Sequence, residues 1–275
     1  KLLVYLSIKG IETTKFNNLI TKQINSKIPN VELNNLEKIK FKLDYKNLRL
    51  FFSTKNPKLS YESTDIPIEN LKVYLDFVSL IQSKLVIKKI NVSIDKIKII
   101  DLQKLAVSYR PSNIKRFILN NIVEGSIRTK IELDIDRNQK ISNYKVSGNT
   151  RDLNIIFDKI NVKDSSFSFK ADKNLILINN VSANLKGIPF IEGVINVNRE
   201  KNLIIDGSFK TELDVDQKKL KEVLNNFFNL PFLENKIKIS ANFLSNFNII
   251  FSKTLAIKDY NYSLKGKIKK AEIKF

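Results

Sequence analysis

A chain of 275 residues with 43% hydrophobic and 28% charged side chains can bury a substantial core, and that composition excludes a disordered polypeptide. It contains no Cys, His, Met or Trp, which excludes disulfides, thiolate or imidazole metal sites and the usual Ser-His or Cys-His catalytic pairs. The net charge of +20 would suit phosphates. Its lysines nevertheless alternate with Asp and Glu along the apolar runs, so most of that charge reads as a solvated face and nucleic acid is not an expected partner.

In chain order, Leu2 to Leu6 reads either as a strand or as the trailing edge of a membrane anchor. Ile11 to Ile28 carries Phe16, Leu19, Ile20, Ile24 and Ile28 at helical spacing behind Thr13 or Thr14, and Pro29 closes it. A helix is therefore expected at about 14–27. From Val31 to Leu75 short alternating runs follow, with Pro57 and Pro67 at strand starts or edges. A short helix is expected at about Phe77–Ser83, then a hairpin within Leu85 to Ile100 turning at Asp95-Lys96. Helix returns from Leu102 to Asn121 on both sides of Arg110-Pro111, with Ser112 as the second cap and Ile114, Phe117, Ile118 and Ile122 as its stripe.

Beyond that point period-two alternation takes over. Gly125 to Asp136 sets Ile127, Thr129, Ile131, Leu133 and Ile135 against charged neighbours. Leu203 to Asp216 repeats the pattern, with Leu203, Ile205, Phe209, Leu213 and Val215 on one face and Asp206, Lys210, Glu212, Asp214 and Asp216 on the other. Phe243, Phe247, Ile249 and Phe251 continue it, as do Tyr260, Tyr262, Leu264 and Ile268. Polar turns are expected at Asp136–Lys140, Lys170–Asn174 and Asn198–Asn202, and a last helix at Asp216–Phe228. Short turns between many strands imply antiparallel neighbours.

No nucleotide-binding glycine loop is present, and the seven glycines are scattered singly. Asp134, Asp136, Asp214 and Asp216 lie on the charged phase of strands, which favours a solvated face over a metal site. No cofactor, metal site or catalytic residue is expected, and the chain does not read as an enzyme. The fold expected is mainly β: a long, antiparallel, incompletely closed sheet with a few short capping helices. Few helices are available to cover its apolar face, so that face closes on itself or meets a ligand. From the residues alone, a closed structural or adhesive β-sandwich or barrel stands ahead of an open groove.

At Gly10-Ile11-Glu12-Thr13-Thr14-Lys15-Phe16-Asn17 the sequence resembles the start of an AsmA-like protein of the TamB kind. Tyr144-Lys145-Val146-Ser147-Gly148 and the long alternating strands are similar in style. The resemblance is close over only the first twenty or so residues. It implies an elongated, taco-like β-groove spanning residues 1–275 as one piece of a longer periplasmic protein. The implied partners are phospholipid, the inner membrane through an anchor preceding Lys1, and an outer-membrane protein beyond the C-terminal end. The function implied is intermembrane phospholipid transport or outer-membrane biogenesis, in a Gram-negative bacterium. On that reading acyl chains run along Ile127, Ile131, Leu133, Ile135, Leu203, Ile205, Phe209, Leu213, Phe243, Phe247 and Ile249. The absence of Met agrees with a segment of a longer chain.

Overall fold

The computed structural model describes residues 2–15, 17–18, 21–22, 25, 31–44, 49–76, 79, 86–107, 113–138, 140–157, 160–200, 202–224, 236–252 and 256–274. It is mainly β. Thirteen antiparallel strands form one sheet, not closed into a barrel, and three more form a small second sheet. The chain divides into two compact units, residues 1–112 with 127–148, and residues 113–126 with 149–275.

In the first unit, helix α1 (Leu2–Ile8) leads into β1 (Ile11–Thr13). The strands β2 (Val31–Asn35), β3 (Ile39–Asp44), β4 (Arg49–Lys55), β5 (Lys58–Tyr61), β6 (Thr64–Ile66), β7 (Ile68–Leu75) and β8 (Ile87–Lys98) follow, and then α2 (Ile99–Val107). The alternation of Ile39, Phe41 and Leu43 with lysines puts one face of β3 inward, and β7 alternates in the same way. Leu33, Leu36, Ile39, Phe52, Ile68, Leu71, Val73 and Leu75 make a dry core that draws on both sheets. Leu33 and Ile39 are fully enclosed.

The second unit holds α3 (Asn113–Asn121), β11 (Ile160–Ala171), β12 (Leu175–Leu185), β13 (Ile188–Asn198) and β14 (Leu203–Asp216). It continues with α4 (Gln217–Leu224), β15 (Lys236–Phe251) and β16 (Ile257–Lys274). β9 (Ile122–Ile135) and β10 (Ile141–Phe157) each contribute to both units. The order of the large sheet is β1-β3-β4-β7-β8 and then β9 to β16 in sequence. All three polar turns expected from the sequence join strands, and a side chain fixes each one. Asp136 Oδ1 accepts from the amides of Asn138 and Lys140, Asp172 Oδ1 from Asn174 and Leu175, and Asn198 Oδ1 from Glu200. Asp216 caps α4 by accepting from the Lys219 amide at 2.9 Å.

Several expectations need correction or completion. Leu2 to Leu6 is helical, within α1, rather than a strand. No hairpin forms at Asp95-Lys96: β8 runs straight through both residues, because the Asp95 amide donates to the Pro67 carbonyl at 2.9 Å and holds the chain extended. Ile99 then opens a helix, and Ile122, assigned to the stripe of α3, begins β9 instead. Of the helix at 14–27, Asn17, Asn18, Thr21, Lys22 and Asn25 are helical, Thr14 and Lys15 form a bend and turn, and Ile11–Thr13 ahead of them is strand β1; of the helix at 77–83, Ser79 is helical; the other residues of both lie outside those described, as does the end of the helix expected to reach Phe228.

Candidate functional site

The alternation of β14 becomes a two-dimensional pattern once the strands are in register. Phe169, Ile178, Ile195, Gly207, Phe247 and Tyr262 face one another in turn across β11 to β16. The neighbouring row is Ala171, Ile176, Val197, Ile205, Ile249 and Tyr260. One residue over, on the other face, the row reads Lys170, Leu177, Asn196, Asp206, Asn248 and Asn261. The sheet in this unit is therefore apolar on one side and polar on the other. Asn196 donates to Asp206 at 2.8 Å on the polar side, and Lys210 pairs there with Glu192.

The apolar side is half-buried along these rows from β11 to β15 and exposed at Tyr260 and Tyr262 on β16, unlike the core of the first unit. It becomes dry around Val215, Ala241, Ile188 and Leu153, and α4 packs on β14 and β15. Its surface is kept low by glycines. A methyl group on Gly193 would lie 2.6 Å from the Phe209 ring, and one on Gly207 would lie 2.8 Å from the Phe247 ring; Gly266 likewise lies under Phe243. Each phenylalanine can lie flat across the bare backbone of the next strand. Phe209 and Phe247 stack at 5.9 Å with 13° between their planes, and Phe190 meets Phe209 edge-on at 6.2 Å.

A diagonal line of bulges crosses the same unit. Asp152, Asp164, Asn180 and Glu192, one on each of β10 to β13, have φ of +54°, +51°, +54° and +51°. Each is exposed, and the residue after each, Leu153, Ser165, Val181 and Gly193, is buried. At Glu192-Gly193 two residues oppose the single Phe209, between the pairs Ile191↔Lys210 and Val194↔Ser208. Such a bulge bends its strand and increases the local twist. It also shifts the phase of the strand, so Ile176 and Ile178 share a face with Val181 and Ala183 although their spacing passes from even to odd.

Seven of the eleven expected lining residues lie together on this face: Leu203, Ile205, Phe209 and Leu213 on β14, and Phe243, Phe247 and Ile249 on β15. Ile127, Ile131, Leu133 and Ile135 are half-buried at alternate positions of β9, in the first unit. Sequence reading missed Phe169, Ile176, Ile178, Phe190, Ile195, Val197 and Gly193. The bulges hid their alternation, and the one visible sign was Asn179-Asn180 in mid-strand.

Comparison with protein-family models, curated proteins and solved structures finds no match for this chain. What it can do is therefore argued from the site. Among the described residues no group of three or more carboxylates is placed to hold a metal ion, and no helix is long and apolar enough to cross a membrane. The perturbed titrations belong to surface pairs. The Lys40 ammonium holds the Glu12 carboxyl below its usual value, and the Ser79 amide, with Lys88, does the same for Asp76. What the face offers chemically is apolar area, not acid–base chemistry.

Proposed function

We propose that this protein binds the acyl chains of phospholipids on the apolar face of β11 to β16 and serves lipid movement between membranes. In that reading it stands in the periplasm, anchored to the inner membrane, and supports outer-membrane biogenesis without being an enzyme. The observation that carries the proposal is the pair of six-strand apolar rows, half-buried on β11 to β15 and exposed on β16, with a polar row beside them on the other face. A soluble sheet with that much apolar surface gains from a cover, and each methylene it shelters contributes about 0.8 kcal/mol. Several near-equivalent rows favour a chain that slides over one held in a deep pocket. Flat phenylalanines over glycines leave few protrusions to block it.

The test is site-specific photo-crosslinking in cells, with the probe at Ile205 or Phe209 on the apolar face and at Lys210 or Glu212 on the polar face. Phospholipid captured from the first pair and not from the second supports the proposal. Phe209→Glu should fold and lose capture at Ile205, since a half-buried position lets the carboxylate reach water. A Phe209→Glu protein that fails to fold, with no lipid captured by the parent at Ile205, returns the face to an ordinary closed core.

A further inference from the structure

The chain leaves the large sheet at Pro57 and returns to it after Pro67, so the hairpin of β5 and β6 belongs to the small sheet. A backbone bond pins each corner: the Asn56 amide donates to the Glu69 carbonyl at 3.0 Å, and the Asp95 amide to the Pro67 carbonyl at 2.9 Å. β8 meanwhile runs on past its last pair with β7, Ile68↔Ile94, as far as Lys98. Between the hairpin and this overhang lies a cleft of about 650 Å³, within the first unit. Small-molecule sites span about 300–1,000 Å³.

The lining divides by chemistry. Ile68 and Ile97 are 7% and 4% exposed, and with the half-buried Leu59 they make an aliphatic floor. Lys58 on β5 and Lys96 and Lys98 on β8 are exposed and form the rim. Of the two carboxylates that also line the cleft, Asp101 is held by Lys104 at 3.1 Å, which leaves Asp65 to offset three lysines. An ammonium is a compact point charge suited to phosphate. The surplus positive charge complements a phosphate monoester, which carries about −1.5 to −2 near neutral pH. Among the described residues of the lining there is no aromatic ring to stack a base, so the floor suits an aliphatic body. We infer that this cleft binds a phosphate monoester carried on an aliphatic body, with Lys58, Lys96 and Lys98 on the phosphate and Leu59, Ile68 and Ile97 beneath the body. That group occurs on soluble molecules and at lipid head groups alike. The cleft belongs to the first unit and the apolar rows of β11 to β16 to the second, so the inference does not rest on the lipid reading.

The probe is octyl phosphate below its micellar concentration, titrated into the 275-residue chain at low salt, with inorganic phosphate and 1-octanol as comparisons. Octyl phosphate should bind about tenfold more tightly than either, with amide NMR shifts at Lys58 and at Lys96, Ile97 and Lys98. Lys96→Gln/Lys98→Gln should weaken it by about tenfold, and Lys58→Gln in the same direction, with circular dichroism unchanged. Lys265→Gln/Lys267→Gln, which removes the same charge from β16, should leave the affinity as it was, and so should Phe209→Glu. Vesicles of phosphatidylcholine with and without phosphatidic acid separate the two sources. Sedimentation of the parent, but not of Lys96→Gln/Lys98→Gln, with the phosphatidic acid vesicles alone puts the phosphate on a lipid. Octyl phosphate bound at the cleft without such sedimentation puts it on a soluble molecule. Octyl phosphate held no more tightly than octanol overturns the inference. So does an affinity untouched by the cleft lysines, lost in Phe209→Glu, or accompanied by shifts confined to β11 to β16.

Discussion

Adding one methyl group at Gly207 measures how closely the apolar face is built. The new Cβ would stand 2.5 Å from the Val194 carbonyl oxygen and 2.8 Å from the Phe247 ring. The ring can tilt, but the carbonyl belongs to the strand ladder and cannot move without disturbing β13. Overpacking of this kind costs about 1–3 kcal/mol. At about 2–4 °C per kcal/mol for a unit of this size, Gly207→Ala should lower the melting temperature by several degrees. Phe247→Ala alone should destabilise by exposing the backbone of β14 and by ending the stack with Phe209. The double variant should be less damaged than the two single losses added together, with a favourable coupling of at least about 0.5 kcal/mol, because removing the ring relieves one of the two clashes. Urea unfolding of the four proteins, followed by circular dichroism and near-ultraviolet absorbance, supplies the cycle. Additive losses, or a Gly207→Ala protein as stable as the parent, would refute the picture of rings lying flat over glycines.

Ile39→Ala, in the closed core of the first unit, should cost about 2–5 kcal/mol, and Ile205→Ala clearly less, because its site is already half-open; equal losses in urea unfolding would deny the contrast between the two faces. Asn180→Gly should stay within about 0.5 kcal/mol of the parent, whereas Asn180→Val should cost about 1–2 kcal/mol at a φ of +54°; a valine variant that melts with the parent would remove the bulge. Asp76 has a folded pKa below its unfolded value, so the carboxylate stabilises the fold above about pH 3.9 and that contribution fades as pH falls towards the folded value. Asp76→Asn should accordingly flatten the dependence of melting temperature on pH below about 4, and an unchanged acid limb would contradict the assignment.

The fold was legible wherever one rule acted alone. Leu203 to Asp216 keeps strict alternation, so its length and the side of the strand that carries Leu203, Ile205, Phe209 and Leu213 could be read directly. The polar turns were legible because Asp136, Asp172 and Asn198 carry the chemistry of the turn in their own side chains. What escaped depended on partners distant in sequence. The Pro67 carbonyl that holds Asp95 straight lies 28 positions earlier. The bulges at Asp164, Asn180 and Glu192 reverse the phase in mid-strand, so Ile176 and Val181 seem to belong to opposite faces until the register is known. Only three-dimensional pairing distinguishes the dry core around Ile39 from the half-open face around Phe209, since both are written with the same residues.

From β8 to β15 each strand is hydrogen-bonded to the strands before and after it in the chain. Pairing that never skips a neighbour makes this part of the sheet behave as a one-dimensional array, whose stability is a sum of strand terms and nearest-neighbour terms. Such an array can form hairpin by hairpin as it leaves the ribosome, with little loop-closure entropy at any step. It can also open at one pair of strands while β11 and β12 remain paired. Evolution can lengthen or shorten an array of this kind by whole hairpins, because an added pair of strands needs a match only at the junctions it touches.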